Sequence, residues 1–192
     1  MYKVAFLGYS KHETKLIDEL EERNCLVQNF QNEISLRDIR GSDLIISFGY
    51  KYILKPSFIN NCGCPILNLH IAYLPYNKGS HPNFWSFYDN TPSGVSIHLI
   101  DEGIDTGPIL YQKPVTFDHE KTFADTYKRL KLEIEDLFIE NIKLILNKQW
   151  KLVDQVGEGT MHFIRDLPIG FRGWDTQIDS EIRRLKKLET SK

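Results

Sequence analysis

The chain has 192 residues, 41% of them hydrophobic and 26% charged, and a formal net charge of −2. That length suits one α/β domain with a full core, and the charge gives no general attraction to nucleic acid. No apolar run approaches the length of a membrane span.

The N-terminal Met1–Gly8 is too short for a signal peptide and lacks a cleavage site, so Tyr2–Leu7 is expected to be a first buried strand. A helix is predicted from Lys11 to Arg23, with Leu16, Ile17 and Leu20 at helical spacing. Cys25–Phe30 reads as a second strand. Asp43–Phe48, almost wholly apolar, reads as a third that is buried on both faces. Pro56–Ile59 starts a short helix. Three cysteines, Cys25, Cys62 and Cys64, make an odd number and fit free thiols in a reducing, cytoplasmic setting. Cys62–Gly63–Cys64 has no second cysteine pair near it, so no metal is expected there.

A strand runs from Cys64 to Leu69 and breaks into polar side chains at Asn68 and His70. A loop from Ala72 to Pro82 and a helix around Asn83–Tyr88 follow. Two strands, Val95–Ile100 and Ile109–Val115, flank a glycine-punctuated loop. Thr122 to Leu146 is predicted as one long amphipathic helix, with Phe123, Tyr127, Leu130, Ile134, Leu137, Phe138, Ile142 and Ile145 on its apolar face. Strands alternating with helices in the N-terminal half imply a doubly wound, mostly parallel sheet, whose ligands bind beyond the carboxyl ends of the strands. Residues 1–150 are expected to form the catalytic domain, with residues 151–192 as an extension packed on it.

Asn68 and His70 are two apart on a strand and so project to one face. The amide is a hydrogen-bond donor and the imidazole a base with an ordinary pKa of about 6.5. Asp105 adds an acid from the glycine-punctuated loop. Three groups of complementary chemistry converging in one cleft form an active-site pattern. His98, in the alternating strand, is read as a partner within the sheet rather than a catalyst. His12, His119 and His162 have no partner visible in the sequence.

The stretch Asn68–Leu69–His70, then Leu74–Pro75, Lys78–Gly79, Gly94–His98 and Asp101–Gly107, resembles the catalytic core of the formyltransferases that use N10-formyltetrahydrofolate. The match runs from about Ser47 to Gln112 and implies a Rossmann-like formyltransferase core. It also implies formyl transfer to an amine, with Asn68 as oxyanion donor, His70 as base and Asp105 orienting His70 or an ordered water and stabilising the imidazolium. The folate co-substrate would lie against Tyr52, Ile53 and Leu54, with Ile100, Asp101, Glu102 and Asp105 closing its pocket.

For the acceptor, the segment Leu74–Asn83 is similar to the acceptor loop of the sugar N-formyltransferases. That likeness implies Tyr76, Asn77, Lys78, His81 and Asn83 as substrate-binding residues, with His81 otherwise a solvated loop residue. The tail Gly157–Phe163 and Arg165–Asp166 is similar to their C-terminal region. Trp85 and Tyr88 read equally as platforms for a sugar or base and as core. Gly8–His12 has a single glycine where ribonucleotide-acting relatives carry a glycine-rich phosphate loop.

The expected acceptor is therefore a nucleotide-linked amino sugar. Glycinamide ribonucleotide, another small amine, hydrolysis of the formyl donor and a non-catalytic binding module stand as alternatives. The expected partners are small molecules, with no metal, nucleic acid or membrane, and with room for a homodimer.

Overall fold

The computed structural model describes residues 1–190. Six strands form the main sheet: β1 (Tyr2–Gly8), β2 (Cys25–Phe30), β3 (Leu44–Phe48), β4 (Ile66–His70), β6 (Gly94–Leu99) and β7 (Ile109–Pro114). Their spatial order is β2-β1-β3-β4-β6-β7. The first four run parallel, and β6 and β7 are antiparallel additions at one edge. A two-stranded ladder pairs β5 (Lys78–Gly79) with β8 (Met161–His162). The helices are α1 (Leu16–Glu22), α2 (Pro56–Ile59), α3 (Pro82–Tyr88), α4 (Phe123–Leu146) and α5 (Ile178–Thr190).

Alternation along β1 divides the core. Val4 and Phe6 join α1 and α4 on one face, with Leu44, Ile46, Leu67 and Ile97 from the neighbouring strands. Ala5 and Leu7 turn to the other face and pack with Ile39, Ile45, Phe58 and Ile66. Every residue of β3 is buried, as its nearly continuous apolar run implies for a central parallel strand. The α4 helix starts on a capping box, in which Thr122 Oγ1 accepts from the Asp125 amide (3.1 Å) and the Asp125 carboxylate accepts from the Thr122 amide (3.3 Å). Its fully buried Phe138 contributes about 2–3 kcal/mol by leaving water.

Two expectations need correction, and one open reading is resolved. The first helix begins at Leu16 rather than Lys11, because residues 10–14 form a turn tied elsewhere. The Ser10 amide donates to Glu13 (2.9 Å), and Thr14 Oγ1 donates to Glu135 on α4 (2.6 Å). Tyr127 lies at the rim of the apolar stripe, 38% exposed, and its hydroxyl bonds that of Tyr9. Trp85 and Tyr88 are core: with Phe84 they pack against Phe123, Ile178 and Leu185, joining α3, α4 and α5. The α5 helix itself was not anticipated.

Candidate active site

The strand β4 carries Asn68 and His70 to the carboxyl end of the parallel part of the sheet, as the alternation requires. The neighbouring β6 sets His98 directly opposite Asn68. A register shift between β6 and β7 falls at Ile97/His98, the kind of irregularity that re-aims a side chain beside a site. Asp105 lies in the loop after β6 at φ 51, a left-handed conformation that Asp and Asn adopt more readily than other non-glycine residues.

These four residues form one hydrogen-bonded cluster. Asn68 Nδ2 donates to Asp105 Oδ1 (3.0 Å) and to His98 Nε2 (3.2 Å). His98 Nδ1 is directed at the Leu99 carbonyl (2.8 Å), which places a proton on that nitrogen. The other Asp105 oxygen accepts from the Gly79 amide (2.8 Å) and stands 3.6 Å from His70 Nε2. His70 Nε2 also lies 3.1 Å from the Asn77 carbonyl. Both neighbours of Nε2 are acceptors, so its proton is assigned there and Nδ1 holds the lone pair.

His70 is 8% exposed. Burial pushes its pKa below the ordinary histidine value, outweighing the raising effect of Asp105, so the ring is neutral near pH 7. Burial alone would raise the Asp105 carboxyl. The surrounding imidazoles of His70 and His98 and the Gly79 amide prevail, and hold it well below the usual carboxylate range. The cluster thus combines a fixed anion, a neutral base and an oriented amide.

It opens into a cleft of about 690 Å³. All the residues expected to hold the co-substrate line it: Tyr52, Ile53 and Leu54 after β3, and Ile100, Asp101, Glu102 and Asp105 after β6. Asp101 shapes its own loop by accepting from the Gly103 amide (3.0 Å) and Thr106 Oγ1 (2.6 Å).

The residues expected to hold the acceptor are placed differently, since Tyr76, Asn77, Lys78, His81 and Asn83 are not part of the cleft wall. The Asn77 side chain, 1% exposed, is held by Thr91 and Thr160, and only its carbonyl meets the cluster. Lys78 is committed through its backbone to β8. Tyr76 closes a turn on the Tyr73 carbonyl (3.1 Å). His81, at φ 56, packs on Trp174, and burial lowers its pKa. Asn83 is buried and donates to the Phe123 carbonyl (2.9 Å), stitching α3 to α4.

Their neighbours Gly79, Ser80 and Pro82 line the cleft instead, together with Tyr9, Lys51, Tyr127 and Phe163–Arg165. Gly79 and Ser80 are brought to Phe163–Arg165 by the pairing of β5 with β8, a juxtaposition that no local pattern displays. His162 finds partners there too, stacking on Trp85 and bonding Asp89 (2.8 Å).

A formyl transferase family model matches residues 4–142. A dTDP-4-amino-4,6-dideoxyglucose formyltransferase of Mycobacterium tuberculosis is 30% identical over 125 residues, covering 65% of this chain and 52% of that protein. A methionyl-tRNA formyltransferase of Fusobacterium nucleatum is 30% identical over 79% of this chain and 48% of its own. The chain thus spans about half the length of these relatives.

Among solved structures, the formyltransferase PseJ of Anoxybacillus kamchatkensis superposes with a TM-score of 0.87. It is 37% identical and covers 95% of this chain and 99% of that one. That protein was solved in complex with UDP-4,6-dideoxy-4-formamido-L-AltNAc and tetrahydrofolate. The matched region begins within β1, ends within α4 and takes in Asn68, His70 and Asp105, and with it the chain belongs to the formyl transferase family.

Proposed function

We propose that the chain transfers the formyl group of N10-formyltetrahydrofolate to the amine of a nucleotide-linked amino sugar. The observation that carries this reading is the Asn68–His70–Asp105 cluster opening into a single cleft whose wall offers two chemically distinct surfaces. The 37% identity with PseJ over nearly the whole of both chains supports it.

The co-substrate supplies an activated formyl group and a nitrogen that must leave. Ile53 is 79% exposed and Tyr52 42%, an apolar patch at the cleft that a flat heterocycle would cover. The second surface, with Tyr9, Tyr127, Ser80 and Phe163, takes the acceptor, and Lys51 and Arg165 bring cationic charge suited to a diphosphate. This surface takes the place of the expected Tyr76–Asn83 set.

At the reacting centre, neutral His70 accepts the amine proton on Nδ1 while Nε2–H remains directed at Asn77. Asp105 stabilises the imidazolium so formed. Asn68 faces a constraint of its own, since both amide hydrogens are engaged, one by Asp105 and one by His98. To stabilise an oxyanion it redirects one of them, and the longer contact, to His98, is the one that yields. The three free cysteines accord with a cytoplasmic setting for this reaction.

The decisive experiment incubates the purified protein with N10-formyltetrahydrofolate and a panel of UDP- and dTDP-linked amino sugars, following formyl incorporation by mass spectrometry. Incorporation into at least one member is expected. Efficient formylation of glycinamide ribonucleotide with none of the sugars accepted would refute the acceptor. Absence of any melting-temperature rise with a folate analogue far above micromolar would refute folate binding altogether.

A further inference from the structure

Between α4 and β8 the chain runs alongside the loop that carries Asp105. Val153 pairs with Ile109, its amide donating to the Ile109 carbonyl (2.9 Å) and its carbonyl accepting from the Ile109 amide (2.8 Å). Two residues on, the Gln155 side chain turns back over the loop. Its Nε2 donates to the Asp105 carbonyl and to the Gly107 carbonyl, each at 2.8 Å. Both partners are acceptors, which assigns the amide orientation and uses both of its hydrogens. At Gly107, a side chain would meet the Leu99 carbonyl at 1.9 Å, so the loop is pressed against β6 at this point. Asp105 between them holds a left-handed backbone, φ 51.

We propose that Gln155 is a positioning residue for the reaction, clamping the Asp105–Gly107 backbone so that the Asp105 carboxylate stays directed at Asn68, His70 and the Gly79 amide. The role given to Asp105 rests on the formyl-transfer reading; the clamp itself rests on the geometry. A left-handed aspartate is not held by local preference alone. Its carboxylate direction follows its backbone, and a displacement of about 1 Å in such a group costs roughly 100-fold in rate. The Gln155 side chain lies on an irregular segment and spans two carbonyls that neither β6 nor β7 pairs.

The test compares wild type with Gln155→Met, which keeps the volume and removes both donors. Three readouts are taken: kcat and KM for both substrates, the His70 ring titration by NMR without substrates, and the melting temperature. The expected result is a kcat lower by roughly 10–100-fold with each KM within about threefold.

The groups facing His70 are Asp105 from the loop after β6, His98 from β6 and the Asn77 carbonyl. Asp105 is the charge that raises His70, so its displacement moves the titration midpoint to lower pH. A kcat within threefold of wild type with an unmoved midpoint would overturn the proposal, leaving Asp105 held by its side-chain contacts alone. A kcat loss matched only by a fall in melting temperature, with the midpoint unmoved, would overturn it as well. Should Gln155→Met fail to fold, Gln155→Ala carries the same expectations, as it also lacks the two donors and adds no charge. If the wild type formylates no amino sugar, the acceptor reading fails while the NMR comparison still decides the clamp.

Discussion

Asp105→Asn separates charge from shape at the centre of the site. Asparagine tolerates the same left-handed backbone, so φ 51 is retained. What changes is the anion 3.6 Å from His70 Nε2. With an effective dielectric constant of about 20, a unit pair at that separation is worth about 4–5 kcal/mol, or about three decades in rate as an upper bound. A second effect follows from hydrogen bonding. The carboxylate accepts from Asn68 on one oxygen and Gly79 on the other, so the new NH2 must face a donor. One such unsatisfied contact costs about 1–3 kcal/mol of stability.

Steady-state kinetics should therefore show kcat lower by about 10²–10³-fold with modest KM changes, and the melting temperature should fall by several degrees. The acid limb of kcat/KM should shift to lower pH, because the charge that raises His70 is gone. A kcat loss below tenfold in a folded variant would refute the assignment of Asp105 as the stabilising charge.

Three further outcomes are expected. Asn68→Ala should lower kcat by roughly 10²–10³-fold with its fold intact by circular dichroism; near-wild-type kcat would remove it as oxyanion donor. Gly79→Ala places a methyl 2.3 Å from the His162 carbonyl at φ +83, so chemical denaturation should show a loss of at least about 1–3 kcal/mol, with turnover falling alongside as the amide leaves Asp105. The third outcome concerns pH. His70 is depressed below the ordinary value of 6.5, so its contribution to stability is full above that value and lost as pH falls through the folded one. The depressed Asp105 contributes fully above 3.8 and loses that contribution only lower. Unfolding free energies between pH 7 and 5 should thus decline in wild type and decline less in His70→Gln, with half-buried His81 supplying residual slope; equal slopes would contradict the burial argument.

Legibility in the sequence followed the range of the interactions. Strands such as Leu44–Phe48 announce themselves because burial on two faces leaves almost only apolar residues. Asn68 and His70 were readable because side-chain alternation is local, and Thr122 to Leu146 because its cap and period both lie within the segment. The polar side chains of the Tyr76–Asn83 loop are spent on distant parts of the fold, Asn83 on the Phe123 carbonyl and His81 against Trp174. Asn77 is consumed by Thr160, 83 positions away, which no local pattern displays. His98 was placed as a sheet partner, and it is one, but its bond to Asn68 also brings it into the cluster. The C-terminal helix had a signal that went unread, since Ile178, Ile182 and Leu185 recur at helical spacing beneath a charged surface.

The short ladder between Lys78–Gly79 and Met161–His162 also has a consequence in time. During synthesis, the sheet from β1 to β7 is available once Pro114 has emerged, and α4 can cover it by Leu146. The Gly79 amide that fixes Asp105 is set only when Thr160 and His162 arrive to bind Lys78 and Ser80. A nascent chain ending at α4 would hold every one of Asn68, His70 and Asp105 without the geometry that joins them. Competence is therefore a late acquisition, marked by the arrival of Met161–His162 rather than by closure of the core.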